Sequence, residues 1–347
     1  MLRLNLGLLL ALFSFHSLAL EGIYFEHHDW EIACDNTGTC RMAGYGEQDV
    51  SYTNPESERH IPVSVYFERK AGETAISGKV KFELESGQMP PVSLWLNNQP
   101  LGELQPIKDS SELEYQLTPQ QTGIILPALV GAPTLEVRAP KIRWQISERG
   151  ATAVMLKMDE FQKRLDTPTA LVRKGLSNKP ILALQPVSTI KLVNPLKQNP
   201  AWVAEQIWEE NPRYTPLLSL LKSQMTEDEC FSLGYEGNAV TVQQISADRK
   251  LIGSLCTMGA YNFSWLYVLT DLAEKQVFWH SSDYADFTEG KLYGSYKMRG
   301  LGDCWLSREA VWNGERFIKS EEFSTGQCRD FAGGAWTLPT LISNVTE

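Results

Sequence analysis

The amino-acid sequence predicts a mainly β protein: a β-sandwich-like N-terminal domain, then a second antiparallel β-rich domain that opens on a helical pair. Three observations predict it. Short runs alternate apolar and polar residues with the period of two that a half-buried strand needs. Turn-forming pairs such as Asn97-Asn98 and Asn313-Gly314 punctuate the runs at hairpin spacing. Six cysteines, an even set, point to disulfide staples in an exported chain.

The export reading comes from residues 1–19. A basic start at Arg3 leads into an apolar run from Leu4 to Phe15, and Ser17 and Ala19 place small side chains where a signal peptidase reads. At ~1.5 Å per residue the run is too short to cross a ~30 Å hydrocarbon core. It is expected to be a removed signal peptide, with the mature chain beginning near Leu20 and residing in the periplasm, soluble after cleavage.

Residues 20–174 form the expected first domain. Alternation is clear in Ile61–Phe67, Val80–Leu84 and Val92–Leu96. The Asn97-Asn98-Gln99 turn returns the last of these as Leu101–Leu104. Thr118-Pro119 sets a capping hydroxyl before a proline at the first helical position, opening a short helix to about Val130. Strands near Thr134–Ala139 and Lys141–Ile146 follow. From Gly150 to Arg164 the period lengthens, with Val154, Met158, Phe161 and Leu165 at helical spacing.

Residues 175–200 carry Pro180, Pro186, Pro195 and Pro200 and read as a semi-rigid linker. The second domain, 201–347, is expected to begin with helices at Ala201–Glu210 and Leu217–Met225, the second behind Thr215-Pro216. Strands then follow at Ala239–Ile245, Leu251–Cys256, Trp265–Thr270, Gln276–His280, Lys291–Met298 and Arg316–Lys319. Glu236-Gly-Asn238 and Asn313-Gly314 are the expected hairpin turns.

Cys34 and Cys40 flank a turn-rich insert and pair naturally; sequential pairing of the rest gives Cys230–Cys256 and Cys304–Cys328. The chain-entropy model assigns roughly 2.5 kcal/mol to the short loop and roughly 3.5 to each longer one. The alternative, a structural zinc site, lacks a Cys-x-x-Cys pair and nearby histidines. No metal or cofactor is expected.

The formal net charge of −10 argues against nucleic acid or anionic lipid as a partner, because phosphate binding needs clustered Lys and Arg. No nucleophile elbow, phosphate loop or His-Glu-x-x-His helix is present in the sequence. His27-His28-Asp29 is the most metal-like cluster, yet adjacent strand residues face opposite sides; His60 stands apart. His280, oriented by Asp283, is the best candidate for hydrolytic chemistry. Paired carboxylates among Asp283, Asp286, Glu289, Glu321 and Glu322 suit a glycosidase only by spacing.

Two segments stand out as a candidate binding surface, although aromatics such as Tyr261, Phe263, Trp265 and Trp305 are also what a disulfide-stapled β domain uses as core. Gly259–Trp265 alternates turn formers with Tyr261, Phe263 and Trp265, and Asn262 closes the turn. Gly300-Leu-Gly-Asp303-Cys304, followed by Trp305, looks like a phosphate loop but lacks the basic partner and helix start. Its glycines suit a tight approach of backbone to a disulfide, with Asp303 capping the turn. The two C-terminal disulfides are expected to bring these segments together. An envelope protein, peptide or glycan is the expected partner.

Together these features resemble an exported Gram-negative family catalogued as domain of unknown function 1176. The resemblance is carried by Trp30, Cys34 and Cys40-Arg41, then Arg69–Gly72, then Met158-Asp159 with Gln162, Arg164 and Thr167-Pro168. It continues through Cys256, Gly259–Asn262, Gly300–Cys304, Trp312–Gly314 with Phe317, and Cys328-Arg329. The N-terminal domain is more loosely similar to the invasion-associated locus B family of secreted β proteins. The first resemblance implies a periplasmic location and transfers no activity. The expected function is therefore a non-enzymatic binding protein of the cell envelope; the alternatives are a hydrolase of peptidoglycan or peptide, or an inhibitor of a secreted enzyme.

Overall fold

The computed structural model describes residues 20–46, 62–83, 91–108, 113–140 and 142–347. The expected signal peptide at 1–19, His60, and the strand ends at Ile61, Leu84 and Lys141 lie outside the described residues. The protein is mainly β, with several antiparallel sheets and a few short helices.

A seven-stranded sheet runs, in spatial order, Ile23–His27, Trp30–Cys34, Cys40–Tyr45, Val63–Arg69, Ser77–Phe82, Glu114–Leu117 and Gln105–Pro106. A four-stranded sheet is ordered Ile142–Ile146, Leu135–Ala139, Ser93–Leu96 and Gln99–Glu103. Both feed one buried cluster, in which the Phe82 ring stacks against Trp144 at 4.7 Å and Tyr115 at 5.3 Å. The Asn97-Asn98 turn forms as expected, both residues at positive φ.

The helix Pro119–Ala128 starts where its cap demands. Thr118 Oγ1 accepts the Gln121 N–H at 3.2 Å, and Gln121 Oε1 accepts the Thr118 N–H at 2.9 Å, a reciprocal capping box. The helix Ala151–Phe161 buries Val154, Met155 and Met158 against the first sheet. Gly150 precedes it at φ +102, where a Cβ would lie 1.8 Å from the His27 carbonyl oxygen, so only glycine permits this docking.

Beneath that helix sits a buried ionic network. Arg69 donates to Asp159 Oδ1 at 2.7 Å and to Gln162 Oε1 at 2.6 Å; Asp159 Oδ2 accepts the Leu171 N–H at 2.6 Å. The Gln162 side chain donates to the carbonyls of Gly38 and Arg69, and Arg164 reaches the Glu73 carbonyl at 2.5 Å. These residues carried much of the family resemblance, and here they join helix, sheet and following loop.

Residues 175–200 are not free of the sheets they connect. The Leu182 N–H donates to the Gln162 carbonyl, and the Gln185 N–H to that of Thr37. Ser188–Lys191 then pairs in parallel with the C-terminal strand Ser343–Thr346. The helix expected at Ala201–Glu210 does not form. Its place holds a turn and the strand Glu205–Ile207, which pairs with Val240–Gln244. Ile207 is fully buried as a strand residue opposite Val240, so tertiary pairing overrides the local helical pattern. Helical structure flanks it instead, at Pro195–Gln198 and Tyr214–Lys222.

Two five-stranded antiparallel sheets follow. One is ordered Glu205–Ile207, Val240–Gln244, Arg249–Met258, Phe263–Asp271, Val277–Tyr284; the other Asp286–Thr288, Lys291–Lys297, Trp305–Trp312, Phe317–Ser324, Leu338–Leu341. Tyr267, Leu269, Leu292 and Trp312 fill the core between them. Asn313-Gly314 makes the expected hairpin turn, whereas Glu236-Gly-Asn238 lies in a run of turns before the first long strand and joins no hairpin. All three disulfides pair as expected: Cys34–Cys40, Cys230–Cys256 and Cys304–Cys328.

The C-terminal segment returns to the first sheet. Phe331, Ala335, Trp336 and Leu338 pack on its outer face against Ala33, Ala43, Tyr45 and Tyr66. Glu31, fully buried, accepts hydrogen bonds from the Tyr45 hydroxyl, the Tyr24 hydroxyl at 2.8 Å and the Gln327 N–H at 2.7 Å.

Candidate functional site

The strands Arg249–Met258 and Phe263–Asp271 meet at a short tip, closed by the Gly259 N–H donating to the Asn262 carbonyl at 2.8 Å. Met258 and Phe263 sit directly opposite each other at its base. The Asn262 side chain reaches across to the other sheet. Its Oδ1 accepts the Lys297 N–H and its Nδ2 donates to the Lys297 carbonyl, each at 2.8 Å. This is the mimicry of a backbone partner that an asparagine amide allows. Asn262 is thus a strut beneath the tip.

Lys297 ends its strand with its ammonium 5.7 Å from the Tyr261 ring centre and 5.0 Å from that of Trp305, the geometry of a cation–π pair on each side. It forms no ion pair among the described residues. The next loop accommodates this arrangement. A Cβ on Gly300 would come within 2.9 Å of the Tyr261 hydroxyl, and Gly302 sits at φ +72. The glycines therefore serve the tyrosine and the turn, rather than the close approach to a disulfide expected from the sequence.

The loop is held from below. Arg299 donates to both carboxylate oxygens of Asp303, at 2.8 and 2.5 Å, and to Asp330 at 2.5 Å. Burial alone would raise the Asp303 pKa, but the Arg299 hydrogen bonds and the Asp330 N–H outweigh it and hold the carboxyl below its ordinary value. The hydrogen bonds to Asp303 push the guanidinium pKa further up. Trp305 Nε1 donates to the Gly302 carbonyl at 2.9 Å, and the Cys304–Cys328 bond anchors the loop's exit. Asp303, Cys304 and Cys328 are close enough to suggest a metal site, but both sulfurs are spent in the disulfide and neither is a thiolate ligand.

What this frame displays is apolar. Met258, Tyr261, Phe263, Met298 and Leu301 are between 48% and 74% exposed, with Leu301 the most open. They occupy two touching loops of a rigid scaffold, the arrangement that marks contact surfaces. Of the residues singled out from the sequence, Tyr261, Asn262, Asp303 and Trp305 come together here, with Asn262 and Asp303 as supports. Trp265 instead stacks on Tyr267 at 6.1 Å and packs against the inter-sheet core. Leu301 lay within the Gly300–Trp305 segment singled out from the sequence, though not by itself; Met258, Lys297 and Met298 fell outside both segments.

His280 and Asp283 share the strand Val277–Tyr284 but no hydrogen bond links them. Asp283 pairs with Arg308 at 3.0 Å and accepts from Ser281 at 3.3 Å, while the exposed His280 has no side-chain partner among the described residues. His28 opens a tight turn at φ 54, and Asp29 is committed to Ser147, Arg149 and Arg329. Two clefts lie elsewhere. One of about 350 Å³ is lined by Tyr66, Lys81, Gly334 and Trp336; one of about 440 Å³ holds Arg213 and Lys250 around Glu274. In the second, Glu274 accepts from both cations, at 2.9 and 2.7 Å, and Arg213 also pairs with Glu205 at 2.7 Å, so two cations face two carboxylates.

Comparison with known proteins supports this frame without adding an activity. The chain is 25% identical over 344 residues to "Uncharacterized protein YpfG" of Escherichia coli (strain K12), covering 90% of each chain. No solved structure matches. The profile of the family described as "Protein of unknown function (DUF1176)" matches residues 24–343, nearly the whole described chain, and the protein belongs to that family.

Proposed function

We propose that this protein is a non-enzymatic binding protein of the bacterial cell envelope, exported to the periplasm, whose contact surface is the tip formed by Met258–Phe263 and Met298–Leu301. The observation that carries the reading is the exposure of Leu301 at 74% on a loop fixed by Arg299, Asp303 and a disulfide. A loop whose backbone is held in this way has part of its ordering cost met before any partner arrives. The partner this surface fits is an envelope protein, peptide or glycan. An inhibitor of a secreted enzyme would use the same protruding loop.

The hydrolase reading, with His280 and Asp283, has less support, since Asp283 is tied to Arg308 and Ser281. Crosslinking in intact cells, followed by denaturing purification and mass spectrometry, tests the binding reading. A partner recovered with the parent protein and lost from Leu301→Asp at equal protein level is the expected result. Recovery of the same partner by both proteins overturns the tip as the contact surface. Turnover of envelope peptides that vanishes in His280→Ala would establish the hydrolase instead.

A further inference from the structure

We infer that the Cys304–Cys328 bond is a redox switch: a dithiol reductant opens it ahead of the other two disulfides, and its opening loosens the tip loop and the C-terminal segment beside it. Control of contact by this switch rests on reading the tip as a contact surface; the opening itself does not.

Access separates the three bonds. Cys34 and Cys40 are both 0% exposed, and Cys230 and Cys256 are 3% and 0% exposed. Cys304 is buried as well, but Cys328 is partly exposed, between Gln327 and Arg329. A thiolate must reach a sulfur to exchange with it, so Cys328 is the residue open to attack. Loop length does not distinguish the two long bonds, since spans of 26 and 24 residues carry nearly equal chain-entropy terms. Cys34 and Cys40 are cross-strand partners in one hairpin, and the backbone ladder holds them opposite each other whether bonded or not.

The reduced state also has a partner ready for the released sulfur. Asp303 Oδ1 lies 3.9 Å from Cys304 Sγ, within hydrogen-bond reach of a thiol, and Arg299 keeps that carboxyl ionised. A disulfide sulfur has no proton to donate. A Cys304 thiol has one, and a carboxylate acceptor favours the thiol over the thiolate. Cys256 faces a neutral acceptor, the Glu229 carbonyl, at 3.5 Å.

The exchange balances in two steps. A reductant thiolate attacks Cys328 Sγ and forms a mixed disulfide; the Cys304–Cys328 bond breaks, and its electron pair leaves on Cys304, which takes a proton. The reductant's second thiolate then attacks its own sulfur in the mixed disulfide and releases Cys328, which takes the second proton. Two electrons and two protons pass to the protein, and the dithiol becomes a disulfide.

Once the bond opens, noncovalent ties remain between loop and segment. Arg299 pairs with Asp330, the Asp330 N–H donates to Asp303 at 2.7 Å, and the Gly333 N–H donates to the Gly302 carbonyl at 3.1 Å. The ion pair is exposed and holds weakly. Residues 299–303 and 328–334 therefore open more often in the reduced protein.

The test uses protein purified after export from cells expressing the full chain, equilibrated at stepped ratios of reduced to oxidised dithiothreitol, then alkylated with iodoacetamide and read by mass spectrometry. Cys304 and Cys328 are expected to be alkylated at a ratio at least tenfold below that which opens either other bond, a difference of about 30 mV. At that ratio, amide hydrogen exchange in 299–303 and 328–334 is expected to rise about tenfold, with Val240–Gln244 unchanged. Another bond opening first, or all three opening together, overturns the inference. So does Cys304–Cys328 opening first while both segments keep the exchange rates of the oxidised protein. No partner enters either readout, so failure of the tip as a contact surface would leave both results standing.

Discussion

The side-chain amide of Asn262 closes on both backbone polar groups of Lys297, at 2.8 Å each, and so fastens a hairpin tip of one sheet to a strand end of the other. The exposed residues around it owe their fixed positions to that clasp. Asn262→Ala removes two hydrogen bonds and is expected to cost about 1–3 kcal/mol. Tyr261→Ala, one residue away but largely in solvent, is expected to change stability by about 0.5 kcal/mol or less. Urea unfolding of the two variants separates strut from surface; equal destabilisation would place both in the scaffold.

The Arg69–Asp159 pair is the more severe site. Both side chains are almost wholly buried, so Asp159→Ala strands a guanidinium and also frees the Leu171 N–H. A loss of about 3–5 kcal/mol is expected from breaking a buried pair on one side. Urea unfolding of that variant would show it, and a loss under 1 kcal/mol would contradict the account of this network.

Glu31 gives a signed pH dependence. Burial raises its pKa, and the bonds from Tyr45, Gln327 and Tyr24 offset this only in part. The folded protein thus holds the Glu31 proton to higher pH than the unfolded chain, where a glutamate titrates near ~4.3. Between those two values the folded state binds more protons, so this group's contribution to stability is lost as pH rises. Glu31→Gln lacks that loss. The two proteins are expected to have similar urea midpoints at the acid end of a series from roughly pH 4 to 8, the variant gaining on the parent as pH rises. A difference that shrinks toward neutral pH would contradict the sign.

The Cys304–Cys328 bond closes a span of 24 residues. Replacing both cysteines with alanine is expected to cost about 3.5 kcal/mol on chain-entropy grounds. Because the same bond anchors the exit of the Leu301 loop, limited proteolysis should cut the double variant near residues 299–303 before any other described loop. Unchanged proteolysis would show that Arg299 and Asp303 hold the loop without the disulfide.

Much of the frame was legible in the sequence because local rules set it. Thr118-Pro119 starts a helix, Asn97-Asn98 turns a hairpin, and Cys34 and Cys40 pair across a short insert, each through neighbours in the chain. The missed features depend on distance. Ala201–Glu210 has a helix-like pattern, but Ile207 is claimed by a strand more than thirty residues later. The packing of Trp336 against Tyr66 joins the last strands to the first sheet, and no local pattern announces it. At the site, Tyr261 was readable from its setting among turn formers. Leu301 lay in the other segment singled out, but its exposure was not readable, since that is decided by the Arg299–Asp303 clamp and by Tyr261 lying over Gly300.

The most direct measurement is site-specific photo-crosslinking in intact cells, with a benzophenone amino acid in place of Leu301 and, as control, in place of Leu176, an exposed leucine outside the tip. The account predicts a discrete adduct from position 301 and none from position 176. An adduct from 176 with none from 301 would contradict the tip as the surface by which this protein works.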